Sequence, residues 1–186
     1  LIIGNEILSG RTKDQNISFL ALWLNSNLGI KIAEVRIVPD VENKIIKSIQ
    51  ELSKKFKYVL TTGGIGPTHD DITAKSISKA FKKKYLYNKE AYNILKKYYG
   101  NEFDEPRKKM AKMPSSSKLI YNPSSAAPGF IIKNVICLPG VPLILKSMIH
   151  NVKKYLSPDI KILSRSIRCQ TVESKIAKEL EKIQKK

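Results

Sequence analysis

Apolar positions along the chain fall into two rhythms that alternate. Leu1 to Ile3 is an unbroken apolar run, read as the end of a buried strand, and Gly4 to Gly10 is the turn that leaves it. Ile17, Leu20, Ala21, Leu24 and Leu28 then recur at helical spacing, with cap candidates at Asp14 to Asn16 and a stop at Gly29. Ile30 to Val38 reads as a strand ending at Pro39-Asp40, and Ile45, Ile49, Leu52 and Phe56 as the buried face of a second helix. Tyr58 to Thr62 is a third strand, followed by a glycine turn and a third helical pattern to Phe81. Strand and helix alternating in this way argue for an α/β fold, a mostly parallel sheet with helices on both faces.

Beyond Phe81 the rhythm changes. Tyr85 to Tyr87 is a short strand candidate, Lys89 to Tyr99 a helix, and Glu105 to Met113 a second helix that Pro114 ends, together a small helical insertion. Leu119 to Tyr121 resumes as a strand and Pro123 to Pro128 is a loop. Gly129 to Ile132 and Val135 to Leu138 flank Lys133-Asn134 as a β-hairpin. Pro142 opens a helix on Leu145, Met148, Ile149, Val152 and Leu156. Ile160 to Arg168 reads as a strand and Thr171 begins a last helix through Ile176, Leu180 and Ile183.

Composition narrows the class. The 186 residues fit one domain, 1–186, and the chain shows no apolar run near the roughly 20 residues that span a bilayer. It opens on an apolar run without methionine, so it is expected to begin a few residues inside the native protein, with its lysine-rich end a truncation or a free tail. Cys137 and Cys169 have no ligand spacing around them and are expected to be buried thiols of a cytoplasmic protein. The net charge of +18 is mostly lysine spread over every predicted helix, with five arginines, which argues against a nucleic-acid surface and for solvated faces that attract anionic small molecules.

The chemistry concentrates in Gly63-Gly64-Ile65-Gly66-Pro67-Thr68-His69-Asp70-Asp71, between a strand and a helix. A tight turn needs one glycine; three in four residues, at a helix N-terminus, suit backbone N–H groups that cradle a phosphate. The spacing is neither a Walker loop nor a dinucleotide fingerprint. One aspartate is enough to cap the helix, so a second in the same turn calls for a cation or a donor, and a hard divalent cation bridging to phosphate fits. Asp40 follows a strand end in the same manner, and open parallel sheets bind ligands beyond their strand C-termini. Glu6 and Ser9 leave the first strand at the same edge. Ser9 has no base pattern beside it and suits a phosphate or hydroxyl contact better than nucleophilic catalysis. His69 reads equally as a ligand contact or loop packing, and His150 and Trp23 as packing.

Three stretches, GNEILSGRTKDQN, TTGGIGPTHDDIT, and AAPGF with PGVP, resemble the molybdopterin-binding domain shared by the molybdenum-cofactor biosynthesis proteins (MoaB and Mog) and the competence/damage-inducible protein A (CinA) family. The resemblance spans almost the whole chain and implies a three-layer α/β/α molybdopterin-binding fold, a homo-oligomer, and metal-assisted chemistry by carboxylates at Asp40 and Asp71. Asp71 falls where the adenylyl-transfer branch carries its motif aspartate. Asp70 falls where that branch usually carries arginine, and Thr68-His69-Asp70-Asp71 looks like the CinA branch. CinA-like domains are associated with metal-dependent hydrolysis of nucleotide diphosphates such as ADP-ribose. The sequence shows neither the amidase domain of full CinA proteins nor the synthetase domain of FAD synthases, so neither of those activities is assigned.

On this reading the ligand is a phosphorylated small molecule, a molybdopterin or a nucleotide, cleaved at a pyrophosphate bond with a divalent metal, magnesium first and cobalt or manganese as alternatives. Gly63, Gly64, Gly66 and Thr68 bind phosphate. Asp70 and Asp71 hold the metal and, with Asp40, carry catalysis. Glu6, Ser9 and Asn16 line the pocket, and the turn at Gly140 closes it. Adenylyl transfer to molybdopterin and a non-catalytic binding module are the alternatives. No membrane partner is expected.

Overall fold

The computed structural model describes residues 1–160 and 168–185. In chain order it contains β1 (Ile2–Ile3), α1 (Asn5–Leu8), α2 (Asn16–Leu28), β2 (Ile37–Val38), α3 (Glu42–Lys55), β3 (Val59–Thr62), α4 (Thr73–Ala80), β4 (Tyr85–Tyr87), α5 (Lys89–Tyr99), α6 (Glu105–Lys109), β5 (Lys112–Pro114), β6 (Lys118–Ile120), β7 (Gly129–Ile132), β8 (Val135–Leu138), α7 (Pro142–Val152) and α8 (Glu173–Gln184). The main sheet runs β2-β1-β3-β8-β7-β6. Its first four strands are parallel; β7 runs antiparallel to them, and β6, antiparallel to β7, runs with them again.

The core explains the three layers. Along β8, Val135 and Cys137 enter one apolar cluster and Ile136 and Leu138 the other, the two-residue alternation of a strand covered on both faces. Ile45, Ile49 and Leu52 of α3 and Ile77 of α4 pack on the first face; Leu20, Trp23 and Leu24 of α2 and Leu145, Met148 and Ile149 of α7 pack on the second. Each such side chain, once buried, stabilises the fold by about 1.5–3 kcal/mol. The sheet is thereby sandwiched, as the alternating rhythm predicts.

Helix stops and turns follow their residues. Gly29 ends α2 in a left-handed conformation, φ 69°. Asp14 Oδ1 accepts the Ile17 N–H at 2.8 Å near its start. Lys133 turns the β7–β8 hairpin at φ 51°, and Asn134 Nδ2 pins that turn to the Ser53 and Phe56 carbonyls at 2.9 and 2.8 Å.

Four expectations need correction. The turn expected over 4–10 contains the helical turn α1. The strand expected over 30–38 is regular only at β2, because it has one neighbour, and β1 offers it two residues for pairing. The helix expected over 105–113 stops at Lys109; Ala111 and Met113 are buried with a two-residue period, and β5 pairs antiparallel with β4 in a separate two-stranded sheet. Cys137 is buried, whereas Cys169 is exposed. The strand expected over 160–168 falls on 161–167, outside the described residues. No residue of α8 is buried and only Ile176 is half-buried, so its apolar positions enter neither core cluster.

Candidate functional site

Because β1, β2, β3 and β8 are parallel, their C-terminal ends share one edge of the sheet, and the turns that leave them meet there. The glycine loop follows β3. Gly63 has φ +101°, and a Cβ on it would stand 2.1 Å from the Ile3 carbonyl oxygen, so only glycine lets β3 pass this close to β1. Its N–H donates to the Leu138 carbonyl at 3.2 Å. Gly140, leaving β8, comes so near that its Cβ would lie 3.2 Å from the Gly63 Cα. Gly64, φ +67°, lies between two polar side chains: its Cβ would meet Thr73 Oγ1 at 2.2 Å and Asp40 Oδ1 at 3.6 Å. Gly66 lies against Asp71, whose Oδ2 would be 2.7 Å from an added Cβ.

The loop's N–H groups stay available. Among the described residues, those of Gly64, Ile65 and Gly66 donate to no protein acceptor. Consecutive unpaired amides of this kind form a concavity suited to an anion.

Neither aspartate caps α4, whose N-cap position, Ile72, has no side-chain bond. Asp71 instead folds back on its own turn, and Oδ2 accepts from the Thr68 N–H at 2.8 Å and from the Thr68 hydroxyl. Asp70 is exposed, and its carboxyl is held below the ordinary range, first by the Thr68 hydroxyl and then by its own backbone N–H, with His69 and Lys109 adding to the pull. One hydroxyl proton cannot serve both carboxylates; the close approach to Asp71 is the hydrogen bond, and Asp70 feels a neighbouring dipole.

Asp40 behaves in the opposite way. Burial pushes its carboxyl above the ordinary range, and the charges of Glu6, Asp70 and Asp71 push further, partly offset by the Asn5 N–H. That N–H donates to Asp40 Oδ2 at 2.9 Å, leaving Oδ1 on the side of Gly64. Four carboxylates from three turns therefore share one field.

Asn16, at the first turn of α2, donates from Nδ2 to the Gly140 carbonyl at 2.7 Å and so ties a fourth element to this edge. Among the described residues, its Oδ1 and the Thr73 Oγ1 are buried without a partner. Such groups cost about 1–3 kcal/mol when unpaired, which makes them the polar atoms of the site most in need of a further partner. Ser9 is not drawn in: it is exposed at the end of α1, and its hydroxyl donates to the Glu6 carbonyl at 3.2 Å. His69 is exposed with no hydrogen bond among the described residues, and His150 packs edge-on against Trp23 at 5.9 Å.

Sequence reasoning missed two contributors. Thr73 had no distinguishing signal beyond its place at a helix start. Lys109 lies in a basic run like many others, yet it reaches 41 positions back along the chain to donate to the Thr68 carbonyl. With Lys112 and Tyr85 it walls a narrow cleft over Gly64, Gly66 and Asp71.

Among the described residues no three of His, Cys, Asp and Glu converge into a ready ligand set. A hard cation held by only one or two carboxylates would have to complete its shell with water and ligand oxygens. A cavity of about 600 Å³ lies elsewhere, between Leu20, Leu24, Ile30, Phe56, Leu60 and Ile160; its walls among the described residues are mostly apolar and include none of these aspartates or glycine-loop residues.

A family model described as "Probable molybdopterin binding domain" matches residues 1–160. A protein of Archaeoglobus fulgidus is 38% identical over 150 residues, 81% of this chain and 64% of that protein. A CinA-like protein of Thermosipho melanesiensis is 34% identical over 175 residues, 90% of this chain and 43% of its own length. The chain thus spans between about two fifths and two thirds of these two relatives. The crystal structure of the protein CinA from Thermoplasma acidophilum superposes with a TM-score of 0.77 at 34% identity, covering 83% of this chain and 94% of that one.

Proposed function

The chain belongs to the molybdopterin-binding domain family and is CinA-like within it, and from that premise we propose that it binds a nucleotide or pterin diphosphate and hydrolyses its pyrophosphate bond with a divalent cation. The observation that carries the reading is the meeting of Asp40 and Asp71 with the unpaired amides of the glycine loop at one sheet edge. An adenylyl-transfer site needs no extra carboxylate at Asp70. On the hydrolytic reading it would give the cation a second carboxylate beside Asp71, and that cation would help activate water.

The roles follow from the geometry. The N–H groups of Gly64, Ile65 and Gly66 bind phosphoryl oxygens and fix the orientation of the scissile bond. Asp70 and Asp71 would hold the cation, and a bound cation would neutralise charge on the phosphoryl oxygens and lower the pKa of water. Thr68 aims Asp71 by donating twice to Oδ2. Asp40, whose proton affinity is raised, takes a proton from the attacking water at Oδ1, the oxygen that the Asn5 amide leaves free. The water oxygen bonds to one phosphorus as the bridging P–O bond breaks, and ADP-ribose would yield AMP and ribose 5-phosphate.

The test is phosphorus NMR of ADP-ribose, of FAD, and of ATP with molybdopterin, each incubated with the chain and magnesium, manganese, cobalt or a chelator. Two monophosphates from ADP-ribose or FAD, with none in chelator, support the proposal. Adenylation of molybdopterin from ATP without hydrolysis of either would replace it with adenylyl transfer. Tight binding without turnover under any metal would reduce the site to a binding module.

A further inference from the structure

We propose that Lys109, backed by Lys112, forms the anion-binding half of the glycine-loop cleft and gives the site a preference for a diphosphate over a monophosphate. The inference rests on the phosphate-binding reading above and adds residues from the insertion to it.

The case for Lys109 begins with what its neighbours do. Of the basic residues of α6, Arg107 pairs with Glu102 and Asp104, and Lys108 pairs with Glu105 at 2.5 Å. Lys109 has no carboxylate partner among the described residues. Its ammonium crosses to the glycine loop and donates to the Thr68 carbonyl. An ammonium has three donors, so this contact leaves two for a ligand. The side chain is half-buried, which spares part of the ordering cost that a free lysine would meet on binding.

The loop carries charges of both signs. Glu6, Asp70 and Asp71 are the charges that act on Asp40, and no lysine is among them. Lys109 acts on Asp70 and lines the cleft beside Asp71. Lys112 lines the same cleft, and its ammonium lies 4.6 Å over the Tyr87 ring, a contact that holds it on β5 beside the opening. A monophosphate is served by the loop amides and the carboxylate-bound cation. A diphosphate carries a second anionic group, and Lys109, which among the described residues has no carboxylate partner, touches the loop that would receive the first.

Affinity for two non-cleavable probes tests this: inorganic phosphate and methylenediphosphonate, measured by calorimetry at constant ionic strength and magnesium. The parent is expected to bind the diphosphonate at least about ten-fold more tightly than phosphate. Lys109→Met should lose about ten-fold toward the diphosphonate and less than about two-fold toward phosphate. Lys109→Arg should keep the preference, and Lys112→Met should lose about three-fold. A parent without preference, or a Lys109→Met chain unchanged toward the diphosphonate, overturns the proposal. So does an equal loss toward both probes, which would make Lys109 a support for the loop. ADP-ribose hydrolysis separates the two proposals. If the parent cleaves nothing but shows the Lys109-dependent preference, the hydrolytic reading fails and this one stands. If the parent cleaves ADP-ribose and Lys109→Met leaves KM unchanged, the reverse holds.

Discussion

Asp71 rests its carboxylate against the bare Cα of Gly66, so closely that a Cβ at position 66 would stand 2.7 Å from Oδ2. The contact makes Gly66 part of the chemistry and not only of the turn. Gly66→Ala should fold, because its backbone is not among those at positive φ, but it must displace the carboxylate. A misplacement of about 1 Å costs on the order of 100-fold in rate. Gly63→Ala meets backbone at 2.1 Å and φ +101°, and should instead lose about 3–5 kcal/mol of stability. Denaturant titration beside hydrolysis rates separates the two: activity lost with stability kept at 66, stability lost at 63.

Asp40 should trade stability for function. Its carboxyl is raised above the ordinary value of 3.8, chiefly by burial, so the folded chain holds that proton to higher pH than the unfolded chain does. Stability from this group is fully present below the ordinary value and is lost as pH rises through the raised one. Asp40→Asn keeps an acceptor for the Asn5 amide and removes the charge. Its melting temperature at pH 7 should exceed the parent's, and the gap should close toward pH 4, while hydrolysis falls at least about 100-fold. Thermal melts between pH 4 and 8 check the first part, and rates at pH 7 the second.

The two thiols should differ sharply. Burial pushes the Cys137 thiol up to about 12, whereas Cys169 is exposed. An aromatic disulfide reagent at pH 8 should therefore modify one thiol in the native chain within minutes and the second only after denaturation. Cys169→Ser should abolish the fast phase.

The parts of the fold that were legible in the sequence are those with a strong period or punctuation. Ile45, Ile49 and Leu52 announce α3, Gly29 announces the end of α2, and the Lys133-Asn134 hairpin is readable from its two apolar flanks. The end of α6 was not, because Ala111 and Met113 continue an apolar pattern that fits a helix and a strand alike over so few residues. At the site, the glycines and Asp71 could be read from their crowding in one turn. The pairing of Asp40 with Asn5, of Asn16 with Gly140 and of Lys109 with Thr68 spans 35, 124 and 41 positions, set by sheet order and not by local pattern. Cys169 shows that missing ligand spacing does not imply burial: it stands between Arg168 and Gln170, both exposed.

Asp71→Asn against the parent is the most direct test of the hydrolytic proposal. The substitution keeps an acceptor for Thr68 and removes the charge that would hold the cation. With magnesium or cobalt at saturation, kcat/KM for ADP-ribose should fall by about 10²–10⁴ while the melting temperature without metal stays at or above the parent's. Equal hydrolysis by Asp71→Asn and parent, or no metal-dependent hydrolysis by the parent, would contradict it.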